Sequence, residues 1–136
     1  MKKVLRILVD IFEPNNTDWM NFKITKDNPY TYHHIKEKRK GGDKSIDNGA
    51  ILTRKAHSFL HILEKKCPDA YNDLRNVFIK INASKLPPTD EIVKEIDDIL
   101  YKVLISHEYE IIGDIDLSNY CTQYYEGRKQ LKKCLK

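Results

Sequence analysis

Four of the five histidines in this 136-residue chain fall between residues 33 and 61, in the stretch HHIKEKRKGGDKSIDNGAILTRKAHSFLH. No other part of the sequence limits the local fold as much. Tyr30-Thr31-Tyr32-His33-His34-Ile35 has the aromatic and β-branched composition of a strand. Lys36 to Lys44, with Gly41-Gly42, is a basic loop in which the glycines allow a sharp turn or a close backbone approach. Ile46 to Leu52 predicts a second short strand with Asn48-Gly49 inside it. Thr53 suits the N-cap of a helix running through Lys66. On that helix His57 and His61 are four residues apart, so they share a face and can share a metal ion.

Around this stretch the pattern is mainly helical. Val4, Leu5, Leu8, Ile11 and Phe12 recur at helical spacing and predict a helix over 3–13, although their branching keeps a strand open. Pro14 to Asp18 and Asn28-Pro29 are breaks. After Cys67-Pro68, residues 69–82 predict a helix with Tyr71, Leu74, Val77, Phe78 and Ile81 on its apolar face. Leu86-Pro87-Pro88 is a linker, and Thr89 caps a helix over 90–105, with Asp97 and Asp98 off its apolar face. Residues 107–117 have no clear period, and Ser118 can cap a last helix that ends in a basic tail. The expected fold class is therefore α+β, a mainly helical single domain over 1–136 with a strand–strand–helix motif over about 30–66, a helical region over about 69–106 and a basic tail over about 127–136.

Charge is distributed unevenly along the chain. Residues 23–66 hold eleven basic and five acidic side chains, residues 67–126 five basic and twelve acidic, and residues 127–136 five basic and none acidic. Basic segments of this kind suit a polyanion. No apolar run reaches the length of a membrane span, and Arg6 and Asp10 interrupt the one stretch that resembles a secretory signal. Cys67, Cys121 and Cys134 are odd in number and form no Cys-x-x-Cys pair, which argues against a disulfide framework or a cysteine zinc site. A reducing cytoplasm is the expected compartment.

The residue types suit a metal ion held beside a base. Neighbours on a strand point to opposite sides, so His33 and His34 cannot easily ligate one ion together, but one can hold it while the other faces water. An imidazole with an ordinary pKa of ~6.5 is a competent base at neutral pH. An all-histidine site leaves an ion's charge uncompensated, which favours an anionic substrate, and it suits zinc, nickel or manganese better than magnesium.

At this point the stretch resembles the HNH endonuclease motif, the ββα-metal or His-Me finger. His33 to Asn48 is 15 residues and Asn48 to His57 is nine. Asp43 to Asn48 followed by Leu52-Thr53-Arg54 is similar to the HNH domain of CRISPR effector nucleases, and His57-x-x-x-His61 to colicin-type toxin nucleases. The resemblance covers about residues 30–63. It implies His33, His57 and His61 as metal ligands, His34 as general base, and Asn48 as the residue that pins the loop and orients the base. It also implies one divalent ion as cofactor (Mg²⁺, Mn²⁺, Ni²⁺ or Zn²⁺). The paired Cys-x-x-Cys zinc sites of many HNH proteins are missing here.

The implied activity is metal-dependent cleavage of DNA to 5′-phosphate and 3′-hydroxyl ends, by nicking if the chain acts as a monomer with one site. Lys36, Arg39, Lys40 and Arg54 are the expected nucleic-acid contacts, and the N-terminus of the His57 helix is expected to attract anions. Trp19, Tyr30 and Tyr32 have core spacing, with base stacking as the alternative. Tyr120, Tyr124 and Tyr125 border the basic tail, which with the acidic helical region offers surfaces for a protein partner. His107 is expected to be structural. The rival reading is a non-catalytic binding module of a phage or mobile element, an accessory or inhibitor protein that keeps the same fold.

Overall fold

The computed structural model describes residues 2–111, with side chains through 103. The chain runs α1 (Lys3–Phe12), β1 (Tyr30–His34), β2 (Gly49–Thr53), α2 (Arg54–Lys66), α3 (Pro68–Ser84) and α4 (Asp90–Ile111), a small mixed α+β arrangement. β1 and β2 pair antiparallel, with His33 opposite Ala50 and His34 opposite Gly49. Helices flank this two-stranded sheet because β2 is buried along its whole length and must be covered. Leu8 and Phe12 of α1, Phe59 and Leu63 of α2, Leu74 and Phe78 of α3 and Leu100 of α4 share one core with Ile51 and Leu52. No helix among the described residues is long and apolar enough to cross a membrane.

The strand forecast for 46–52 is displaced. Ile46–Asn48 forms a 3-10 turn, so Asn48 precedes β2 and does not lie inside it. α3 and α4 extend beyond their expected ends. Asp97, expected off the apolar face, is buried and accepts a hydrogen bond from Asn21 Nδ2. The expected features beyond residue 111, Tyr120, Tyr124, Tyr125 and the basic tail among them, lie outside the described residues, as does the side chain of His107.

Two buried polar residues set the position of α2. The Asp18 carboxylate accepts from the amides of Met20 (2.8 Å), Phe22 (3.0 Å) and Thr53 (2.7 Å) and from the Thr53 hydroxyl (2.7 Å). Burial pushes its pKa up to about 6, against the pull of those donors. Asn28 Oδ1 accepts from Lys55 N, the carbonyl of Pro29 from Arg54 N, and Thr53 Oγ1 from Ala56 N. The three leading amides of α2 therefore all have acceptors within the protein. This corrects the expectation of a free anion-attracting terminus there.

Candidate functional site

β1 and α2 place three imidazoles on one side of the sheet. His33 is buried against Phe78, and burial drives its pKa down to about 3, helped by His57, His61 and His34 and opposed by Glu37. Its Nδ1 lies 3.4 Å from His57 Nε2. Burial, then His61 and His34, also lower the pKa of His57. His61 stacks nearly parallel on His57, with ring centres 5.1 Å apart.

The tautomer of His57 follows from its neighbour. Thr31 Oγ1 donates its single proton to the carbonyl of Leu52 at 2.7 Å, so at 3.3 Å it can only accept from His57 Nδ1–H. His57 Nε2 is then the ring's lone-pair nitrogen, and it is the one that faces His33 Nδ1. Two nitrogens each ~2.0–2.1 Å from a tetrahedral ion sit roughly 3.3–3.4 Å apart. The separation of 3.4 Å thus fits a pair that shares one ion. Among the described residues no three His, Cys, Asp or Glu side chains already converge as a metal-holding group. His61 is on the correct face, but it stacks on His57 and completes no such trio.

His34 points the other way. It is half-buried, and the Tyr32 ring stands nearly perpendicular to it with ring centres 4.9 Å apart. Burial lowers its pKa, Lys38 and Lys44 add to this, and Asp43 opposes it. His34 and the other three histidines nevertheless line a single cavity of about 360 Å³, together with Glu37, Lys38, Arg39, Glu64 and Tyr71.

Asn48 closes the loop between the strands. Its Oδ1 accepts from Lys36 N at 2.8 Å, and its Nδ2 donates to the carbonyls of Lys36 (3.0 Å) and Asp43 (2.8 Å). Asn82 of α3 braces the same turn by donating to the carbonyls of Ile46 (2.8 Å) and Gly49 (2.7 Å). Both readings of the glycine pair hold. Gly41 takes the left-handed conformation at φ +91°, and a Cβ on Gly42 would lie 1.8 Å from the carbonyl oxygen of Lys36.

The expected nucleic-acid contacts separate. Arg39 borders the cavity but is held by the carboxylates of Glu37 and, at 3.8 Å, Glu64. Lys36 lines a different cavity, beside Asp47, Asn48 and Arg75. Lys40 is exposed in the loop and Arg54 at the start of α2, and neither lines the histidine cavity. Trp19 is a core residue, against Phe12 and Phe78, and Tyr30 is tied by its hydroxyl to the carbonyl of Thr17.

The acidic wall of the cavity was not foreseen. Tyr71 donates to Glu37 Oε1 at 3.0 Å, and Arg39, hydrogen-bonded to the other oxygen, holds the Glu37 pKa down at about 2. Glu64 could have been found, since it lies three residues after His61 and seven after His57, on their helical face. Glu37 lies in the loop after β1 and Tyr71 on α3, and no spacing links them. No family model matches the chain, and no curated protein or solved structure matches it.

Proposed function

We propose that the protein is a metal-dependent endonuclease of the HNH kind, in which β1, β2 and α2 form a ββα-metal finger that hydrolyses DNA phosphodiester bonds. The observation that carries this reading is the pair His33 Nδ1 and His57 Nε2, 3.4 Å apart in a cavity they share with His34 and His61. His33 and His57 would hold one divalent ion, with His61 as third donor after a change of rotamer. Such an ion would supply Lewis-acid stabilisation of the negative charge that develops in the reaction.

The protein's own residues do the rest. His34, oriented by Tyr32, takes a proton from water at an imidazole nitrogen as that water attacks phosphorus. The bond from phosphorus to O3′ breaks, and the departing O3′ takes a proton from solvent, leaving a 5′-phosphate and a 3′-hydroxyl. Asn48 keeps the loop that flanks His34 in one shape, as the acceptor for Lys36 N and the donor to two carbonyls. One site per chain nicks a duplex, and the cytoplasm is where such a chain would meet DNA.

A supercoiled plasmid incubated with Mn²⁺, Mg²⁺, Ni²⁺ or Zn²⁺ tests the reading. Conversion to the nicked form by wild type, lost in His34→Ala, is expected. Cutting that survives His34→Ala removes the role given to His34. A second reading, a binding module that keeps the fold without cleavage, draws on the stacked His61 and on the carboxylates that engage Arg39. Metal binding without cleavage of any nucleic acid would favour it.

A further inference from the structure

Two lysines that enter none of the roles above, Lys38 and Lys44, lie close enough to His34 to lower its pKa. Lys38 follows β1 in the 3-10 turn Lys38–Lys40 and lines the cavity with His34. Lys44 comes from the far end of the same loop, and its ammonium lies over the Tyr32 ring, 5.7 Å from the centre. Tyr32 is fixed at both ends. Its hydroxyl donates to the carbonyl of Ser45 at 2.7 Å, and its ring lies where a Cβ on Gly49 would come within 2.6 Å of it. That ring meets the His34 imidazole at nearly a right angle, with centres 4.9 Å apart. One aromatic side chain therefore sets both the imidazole and the ammonium. Unlike Arg39, neither lysine has an ion-pair partner among the described residues. Burial and the nearby Lys2 and Lys38 depress the pKa of Lys44, so ammonium groups crowd this loop, with Asp43 the acidic side chain that acts on His34 and Tyr32 beside them.

We propose that Lys38 and Lys44 form a phosphate clamp that seats a DNA backbone across His34, with Tyr32 as the positioning residue that holds Lys44 and His34 in register. The chemistry recognised is a row of phosphodiesters, which a pair of ammonium groups binds without reading sequence. The clamp deepens the nuclease reading and rests on it for the identity of the polyanion. Arg39 and Lys36, expected from sequence to make such contacts, are respectively engaged by carboxylates and directed to another cavity.

The experiment is binding of a short fluorescein-labelled DNA duplex in chelator, so that nothing is cut, over a salt series. Removing one lysine–phosphate pair lowers the salt slope by about 0.9 and weakens binding roughly eight-fold at about 0.1 M salt. Lys38→Ala and Lys44→Ala are expected each to do this, and the double variant to lower the slope by roughly 1.8. Lys94→Ala on α4, with the same change in charge, is expected to leave the slope alone. Tyr32→Leu is expected to match Lys44→Ala, with no further fall when the two are combined. Tyr32→Phe keeps the ring and is expected to keep the slope. Thermal melts confirm folding, and Lys44→Gln serves if the alanine variant melts early. No duplex binding, an unchanged slope in both lysine variants, or additive effects of Tyr32→Leu and Lys44→Ala would overturn the clamp. A slope that shifts as stated with the plasmid uncut under every ion removes the nuclease reading and leaves the clamp standing. Cutting with unaltered slopes does the reverse.

Discussion

Thr31→Val is the sharpest test of how the histidine pair is set. Valine keeps the branched shape at χ1 and removes only the hydroxyl. That hydroxyl makes two hydrogen bonds, to the carbonyl of Leu52 at 2.7 Å and from His57 Nδ1 at 3.3 Å. The first is a net stability contribution of about 1 kcal/mol, which denaturant unfolding would read. The second fixes the tautomer that leaves His57 Nε2 unprotonated and facing His33. A ligand histidine that loses such a partner typically loses 10–100-fold in metal affinity, or about 1.4–2.7 kcal/mol. Calorimetric titration of wild type and Thr31→Val with Zn²⁺, Ni²⁺ and Mn²⁺ measures this separately from any cleavage. Thr31→Ser restores the hydroxyl and should recover most of the affinity. If Thr31→Val binds as tightly as wild type while His57→Ala does not bind, the tautomer argument is wrong and the 3.4 Å contact is ordinary packing between rings.

Three further outcomes are expected. Asn48→Ala removes three hydrogen bonds to main-chain groups in a half-exposed loop, at about 1–3 kcal/mol, and hydrogen exchange at the Lys36 amide should speed up before the core opens. Gly42→Ala puts a methyl against the Lys36 carbonyl, so it should lower the melting temperature and shift loop resonances more than Gly41→Ala, which meets open space but is strained by its left-handed backbone. Asp18 has a folded pKa of about 6 against an ordinary value of 3.8, so its contribution is fully present below about pH 4 and is lost as pH rises through 6, a change of roughly 3 kcal/mol. Unfolding curves of wild type and Asp18→Asn should diverge over that window, and parallel curves would mean that the four donors hold the carboxylate ionised throughout.

Periodicity made much of this protein legible before its structure. The apolar spacing of Leu5, Leu8 and Phe12 is that of α1, and Thr53 caps α2 as its type suggests. The histidines could be grouped because each sits on an element whose facing is fixed by period, alternate residues on β1 and every fourth on α2. What stayed hidden depends on contacts distant in sequence. Asn82 braces the Asn48 turn from 33 or more residues away, and Asp97 is buried because Asn21 meets it across 76 residues. Charge misled for a related reason. Arg39 and Lys44 look alike in a basic loop, and only the fold gives one a pair of carboxylates and the other an aromatic ring.

Three polar residues that brace the strands and loop beside the histidine cavity act mainly on main-chain partners. Asn48 bonds to the backbone of Lys36 and Asp43, Asn82 to the carbonyls of Ile46 and Gly49, and Asp18 to three amides. A backbone group offers the same donor or acceptor whatever side chain it carries. The side chains at positions 36 and 43 can therefore change with these hydrogen bonds intact, so long as Asn48 persists. The register of the loop beside the histidines is therefore set by a few dispersed amide side chains reading the backbone, and not by the charged side chains that dominate its sequence.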